Sequence, residues 1–181
     1  MPLSLLRRFV LSGLLLCGTL GGSHGLATTL QLTPEISGQR ANIHSDIFHD
    51  PEAALGIADI QRPEIQQQFT PSAGIAGGGI EPTAHWLRLT VQRPAGDQNE
   101  WWLEVHPLNL YDLRVYWPNR DGSYREFLSG ERIPFLQGRE EVYRQYAFRL
   151  PLEDDKPLTF YVRAHDPGGA VFPISLLTRD D

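Results

Sequence analysis

Between His85 and Leu177 apolar side chains recur at every second position in a series of short runs, separated by stretches rich in Pro, Gly, Asn and Asp. Such alternation marks half-buried β-strands, and a succession of such runs predicts an antiparallel sandwich. "HWLRLTV" sets Leu87, Leu89 and Val91 on one face and Trp86, Arg88 and Thr90 on the other. "WWLEVH" does the same with Trp101, Leu103 and Val105 against Trp102, Glu104 and His106. Neighbouring side chains on a strand point to opposite faces, so the two adjacent tryptophans cannot share one core. A hairpin through "RPAGDQN" would pair Leu89 with Leu103 and Leu87 with Val105. It would also place Arg88 opposite Glu104, Trp86 opposite His106 and Thr90 opposite Trp102. Both faces are chemically consistent in that register.

The alternation continues. "LYDLRVYW" is expected to bury Tyr111, Leu113, Val115 and Trp117 and to leave Asp112, Arg114 and Tyr116 on the second face. "PNRDGS" is turn chemistry that returns the chain into "YREFL". "YRQYAFRL", "LTFYVRA" and "AVFPISLL" add strands whose core residues are Phe148 and Leu150, Phe160 and Val162, and Phe172, Ile174 and Leu176. Pro173 points to an edge strand or a bulge. Before His85 the pattern is weaker: "TTLQL" and "NIHSDIF" read as strands. In "HDPEAALGIAD", Asp50 can cap, Pro51 can take the first helical position and Glu52 suits the first turn, which predicts one short helix. "TPSAGIAGGGIEP" reads as a loop; no GK[ST] follows, so it is not a phosphate cradle. The whole is an all-β chain of about eight antiparallel strands, a jelly-roll or similar two-sheet sandwich with one short helix.

The first stretch stands apart. Met1 to about Gly25 carries Arg7 and Arg8, then "FVLSGLLLCGTLGG", then small residues before Leu26, the layout of a secretory signal peptide. The apolar run is too short for a membrane span. Cleavage near residue 25 is therefore expected to leave an exported domain, residues 26–181, without the single cysteine, Cys17. A chain of that length suits one domain whose stability comes from burial. With 16 Lys+Arg against 22 Asp+Glu, and two of the arginines in the leader, nucleic acid is not an expected partner.

Aromatic rings beside hydrogen-bonding side chains are what sugar binding requires, since a ring stacks on the C–H face of a pyranose while polar groups fix its hydroxyls. Trp86, Arg88, Trp102, Glu104 and His106 meet that requirement. They equally fit a second small core, covered by the N-terminal segment. "GERIPFLQGREEVYRQY" places Arg132, Arg139 and Arg144 between two strands, suited either to an acidic glycan or to pairing with Glu131, Glu140 and Glu141. His44, Asp46, His49 and Asp50 invite a metal reading, but His44 and His49 fall on opposite faces of a strand and no HExxH or Cys pattern supports them, so no metal is expected. No cofactor motif and no nucleophile motif occur; Asp154 and Asp155 sit in a Pro-flanked turn where solvated charge is the ordinary explanation. The expectation is a binding domain and not an enzyme.

"AHWLRLTVQRP", "WWLEVHPLNLYDLRVYWPNRDGSY", "SGERIPF", "YAFRLPL" and "PLTFYVRA" together resemble extracellular domain 2 of the seven-transmembrane receptors with diverse intracellular signalling modules, over about Leu26 to Thr178. Trp86 and Arg88 match the opening strand motif, Gly130, Arg132 and Phe135 the G-x-R-x-P-F corner, and Phe148 the aromatic of the following strand. The resemblance implies a jelly-roll fold similar to carbohydrate-binding modules. It also implies a periplasmic input role ahead of membrane helices and a signalling output. It transfers no catalytic residue. The sequence ends at Asp181, where such receptors enter the membrane. The expectation is thus either the sensor part of a receptor or a stand-alone module. Its partner would be a small saccharide or acidic glycan, with receptor helices or a partner protein beside it.

Overall fold

The computed structural model describes residues 28–74, 81–107, 109–134, 137, 145–153 and 155–179. The signal-peptide reading, residues 75–80 of the glycine-rich loop, Phe135, Arg139, Arg144 and Asp154 lie outside them. Before the long strands come β1 (Leu30–Gln31), β2 (Gln39–Arg40), β3 (Asp46–Asp50), the one-turn helices α1 (Ile57–Ile60) and α2 (Pro63–Gln66), and β4 (Thr70–Pro71). Then follow β5 (Ala84–Gln92), β6 (Trp101–Val105), β7 (Asp112–Pro118), β8 (Tyr124–Ser129), β9 (Tyr146–Arg149), β10 (Leu158–His165) and β11 (Ile174–Thr178). They form two sheets. One has seven strands in the order β4-β3-β5-β10-β7-β8, with β1 added in parallel to the end of β5; the other has four, in the order β2-β11-β6-β9. The fold is the expected all-β sandwich.

Alternation assigns the faces correctly. Leu87, Leu89 and Val91 from β5 and Trp101, Leu103 and Val105 from β6 enter one core between the sheets, with Trp117, Phe148, Phe160 and Phe172. The hairpin between β5 and β6 does not form. β5 pairs with β3 and β10, whereas β6 pairs with β11 and β9, so the two runs belong to opposite sheets. Their shared connection turns a corner. Asp97 shapes it, accepting the Asn99 amide at 3.0 Å and the Trp101 indole N–H at 3.0 Å. A period of two fixes which face a side chain takes, but it does not fix which strand lies alongside.

Other expectations change for local reasons. The helix does not begin at Pro51: the Asp50 carboxylate accepts the Leu55 amide at 2.9 Å, Ala53 adopts φ 51°, and α1 starts only after Gly56. The Asp-Pro pair thus marks a turn. Tyr111 precedes β7, escapes its alternation and is 37% exposed beneath the Arg132 guanidinium, 5.3 Å from its ring centre. Pro173 lies just ahead of β11, which is flanked on both sides and so is no edge strand; the Pro173 carbonyl accepts the His106 amide at 2.9 Å. The β7–β8 hairpin forms as expected, with Gly122 at φ 84° and Asp121 accepting the Ser123 amide.

Candidate functional site

The strand pairing separates the residues that alternation had grouped. Trp86 and Arg88 lie on the outer face of the seven-stranded sheet; Trp102, Glu104 and His106 lie on the outer face of the four-stranded sheet, on the opposite side of the sandwich. They do not form one binding face, and the corner at Asp97 is the reason.

Trp86 is 0% exposed. The segment from Phe48 to Phe69 folds over it, and Trp86 stacks on Tyr116 with ring centres 5.3 Å apart and an interplanar angle of 22°, in a second core with Ile60, Phe69 and Tyr161. Arg163 adds its guanidinium 5.8 Å from the indole and donates to the Ala53 carbonyl at 3.0 Å, which ties down the covering turn. For Trp86 the small-core alternative therefore holds: its ring has no face open to a sugar. Burial followed by the Glu126 hydrogen bond raises the Tyr116 pKa. Asp112 sits beneath the same network. Burial works to raise its pKa, but hydrogen bonds from Arg114 and the charges of Arg114 and Arg163 outweigh it and hold the carboxyl below its usual range.

Across the molecule, Trp102 sits between Leu177 and Arg149 in register and is 7% exposed, its indole nitrogen buried without a hydrogen-bond partner among the described residues. Glu104 Oε2 meets His106 Nε2 at 2.8 Å. Neither residue lines the groove over Arg88.

Arg88 is differently placed. It lines an open groove of about 1290 Å³ on the outer face of the seven-stranded sheet. The floor is Arg88 and Thr90 of β5 with Thr159 and Tyr161 of β10; the walls include Ile43 to Asp46 and, from the covering segment, Pro63, Gln66, Gln67 and Phe69. Period-two alternation puts these four floor residues on one face, and antiparallel register sets Arg88 beside Tyr161 and Thr90 beside Thr159. The guanidinium is held on three sides. It donates to Asp46 Oδ2 at 2.7 Å and to Gln66 Oε1 at 2.7 Å, and it lies 4.6 Å from the centre of the Phe69 ring. The Thr90 and Thr159 hydroxyls share a hydrogen bond of 2.8 Å. The groove thus presents a charge-balanced, hydroxyl-rich floor, with apolar Ile43, 63% exposed, on its rim. Gln66 and Thr159 escaped the sequence reading because they come from separate segments; Asp46 entered it only as a metal candidate, and of the floor residues Arg88 was singled out for binding, with Thr90 on the same face.

Residues 42–178 match the family model for 7TMR-DISM extracellular 2. The chain belongs to that family. No match is found among curated proteins. As a member of the 7TMR-DISM extracellular 2 family, the chain is an extracellular sensor domain of a receptor. The matched span closes on itself physically: Asn42, 0% exposed, accepts the Ile174 amide at 2.8 Å and donates to the Phe172 carbonyl at 3.2 Å, which fastens its first residue to β11 near its last. The glycine of the "SGERIPF" corner also has a physical reason. Gly130 has φ 107°, and a Cβ there would lie 2.7 Å from the Tyr111 carbonyl oxygen. Among the described residues no helix is long and apolar enough to cross a membrane, and no cluster of His, Cys, Asp and Glu could hold a metal ion.

Proposed function

We propose that this 7TMR-DISM extracellular 2 domain is a periplasmic input module that binds a small saccharide in the groove over Arg88, without catalysing a reaction. The observation that carries the reading is the floor itself. Two threonine hydroxyls, a glutamine and a rigidly held guanidinium stand side by side in a concave surface, which suits a ligand rich in hydroxyl groups. Charge selects between saccharide classes. Arg88 already has a carboxylate at 2.7 Å, so the groove carries no spare positive charge and favours a neutral sugar over an acidic glycan. Export with removal of the leader near residue 25 belongs to the same reading. In a receptor, a ligand held more tightly in one of two arrangements of the domain against its membrane helices shifts the population toward that arrangement.

A thermal-shift screen of the mature chain, residues 26–181, against neutral and acidic saccharides tests this, with Thr159→Val alongside. A saccharide at a hundred times its dissociation constant stabilises by about 2.7 kcal/mol, roughly 5–10 °C at this size. The expected result is a shift with neutral sugars that Thr159→Val abolishes. No shift with any saccharide would remove the sugar reading and leave a protein partner, for a stand-alone or receptor-borne module, as the better account.

A further inference from the structure

β3 is the strand that carries Asp46, and it is weakly anchored. On its outer side it has only the two-residue β4, so it depends on β5. At the far end of that pairing His49 faces His85 in register, with Nδ1 to Nδ1 at 2.7 Å and the rings edge to face, their centres 4.9 Å apart. His85 is buried, and its Nε2 has no hydrogen-bond partner among the described residues. A contact between two Nδ1 atoms requires one N–H and one lone pair, so the pair is matched only while it lacks a full set of protons.

We propose that the His49–His85 pair is an acid-sensitive latch that holds β3 against β5, and that its protonation releases β3 together with the groove wall carrying Asp46. A first added proton leaves one N–H···N bond; His49 is the exposed member of the pair, whereas charge on His85 is held in a buried position. A second leaves N–H facing N–H. The surroundings do nothing to neutralise either. His165 on β10 adds its own repulsion toward His85. Asp50 on β3 is engaged by the Leu55 amide, and Asp112 on β7 by Arg114 and Arg163; Arg88, further along β5, is bound to Asp46. Burial first, then His49 and His165, lower the His85 pKa to about 4. The unfolded chain therefore holds this proton more tightly than the folded one. The stability it confers is complete above about pH 6.5 and is lost as pH falls from there toward about 4. The latch does not depend on what the groove binds.

Two measurements on the mature chain test it. Between pH 7.5 and pH 5 the melting temperature is expected to fall by roughly 5 °C, and His85→Asn is expected to flatten that dependence. A wild-type chain without the fall, or a variant that keeps it, would overturn the latch. Amide exchange on the wild-type chain decides the matter even where the variant does not fold. Corrected for intrinsic rates, the amides of Asp46–Asp50 should lose protection at pH 5 at least tenfold more than those of β7 and β10. Uniform loss, or none, would place the acid response elsewhere.

Discussion

Trp101 and Trp102 are adjacent in sequence and end on opposite faces of one strand, each buried for a different reason. Trp101 fills the main core and has its indole N–H on Asp97; Trp102 lies on the outer face with its nitrogen unpaired among the described residues. Trp101→Ala should cost about 3–5 kcal/mol in urea denaturation, as loss of a core aromatic does. Trp102→Ala should cost clearly less, and Trp102→Phe, which removes an unmatched donor, should fall within about 1 kcal/mol of the parent. Equal losses for the two alanine variants would contradict the two-faced strand. At this scale the sequence was largely readable, because face follows from period two alone: of the residues assigned inward, Tyr111 is the exception, and it precedes its strand. Exposure was less readable. Trp86 lies on the outward face, and only the distant covering segment makes it a core residue.

Elements are joined by contacts that alternation cannot see. β7 and β8 were recognisable as a hairpin because Asp121 and Gly122 specify a tight turn between them. β5 and β6 have a longer connection, and nothing in a period of two says whether such a connection turns back or crosses to another sheet. β3 shows what pairing adds: Asp46 reaches Arg88 at 2.7 Å, with side chains 15% and 13% exposed. Removing one partner strands a largely buried charge, so Asp46→Leu or Arg88→Met alone should cost about 2–3 kcal/mol. The double variant should cost much less than the sum, with a coupling of more than about 1 kcal/mol in a double-mutant cycle. Additive losses would mean that the ion pair does not hold β3 in place. Together with His49 and His85, this pair gives β3 two polar fastenings to β5, one at each end.

The whole molecule is a sandwich whose outer faces have different tasks. The four-stranded sheet carries the buried Trp102 and a Glu104–His106 pair on its outer face. The seven-stranded sheet is partly roofed by the helices and partly left open as the groove over Arg88, Thr90, Thr159 and Tyr161. Family membership and the sandwich were legible from strand motifs that run through the chain in order. The groove was not, since it is assembled from β3, α2, β5 and β10 and exists only once the N-terminal segment has folded across the sheet. The most direct test is to map the site by backbone-amide NMR during titration with a neutral saccharide that raises the melting temperature. The account predicts that the largest shifts fall on Asp46, Gln66, Arg88, Thr90 and Thr159. Shifts centred on Trp102, Glu104 and His106 would place the sensing surface on the other side of the sandwich and contradict it.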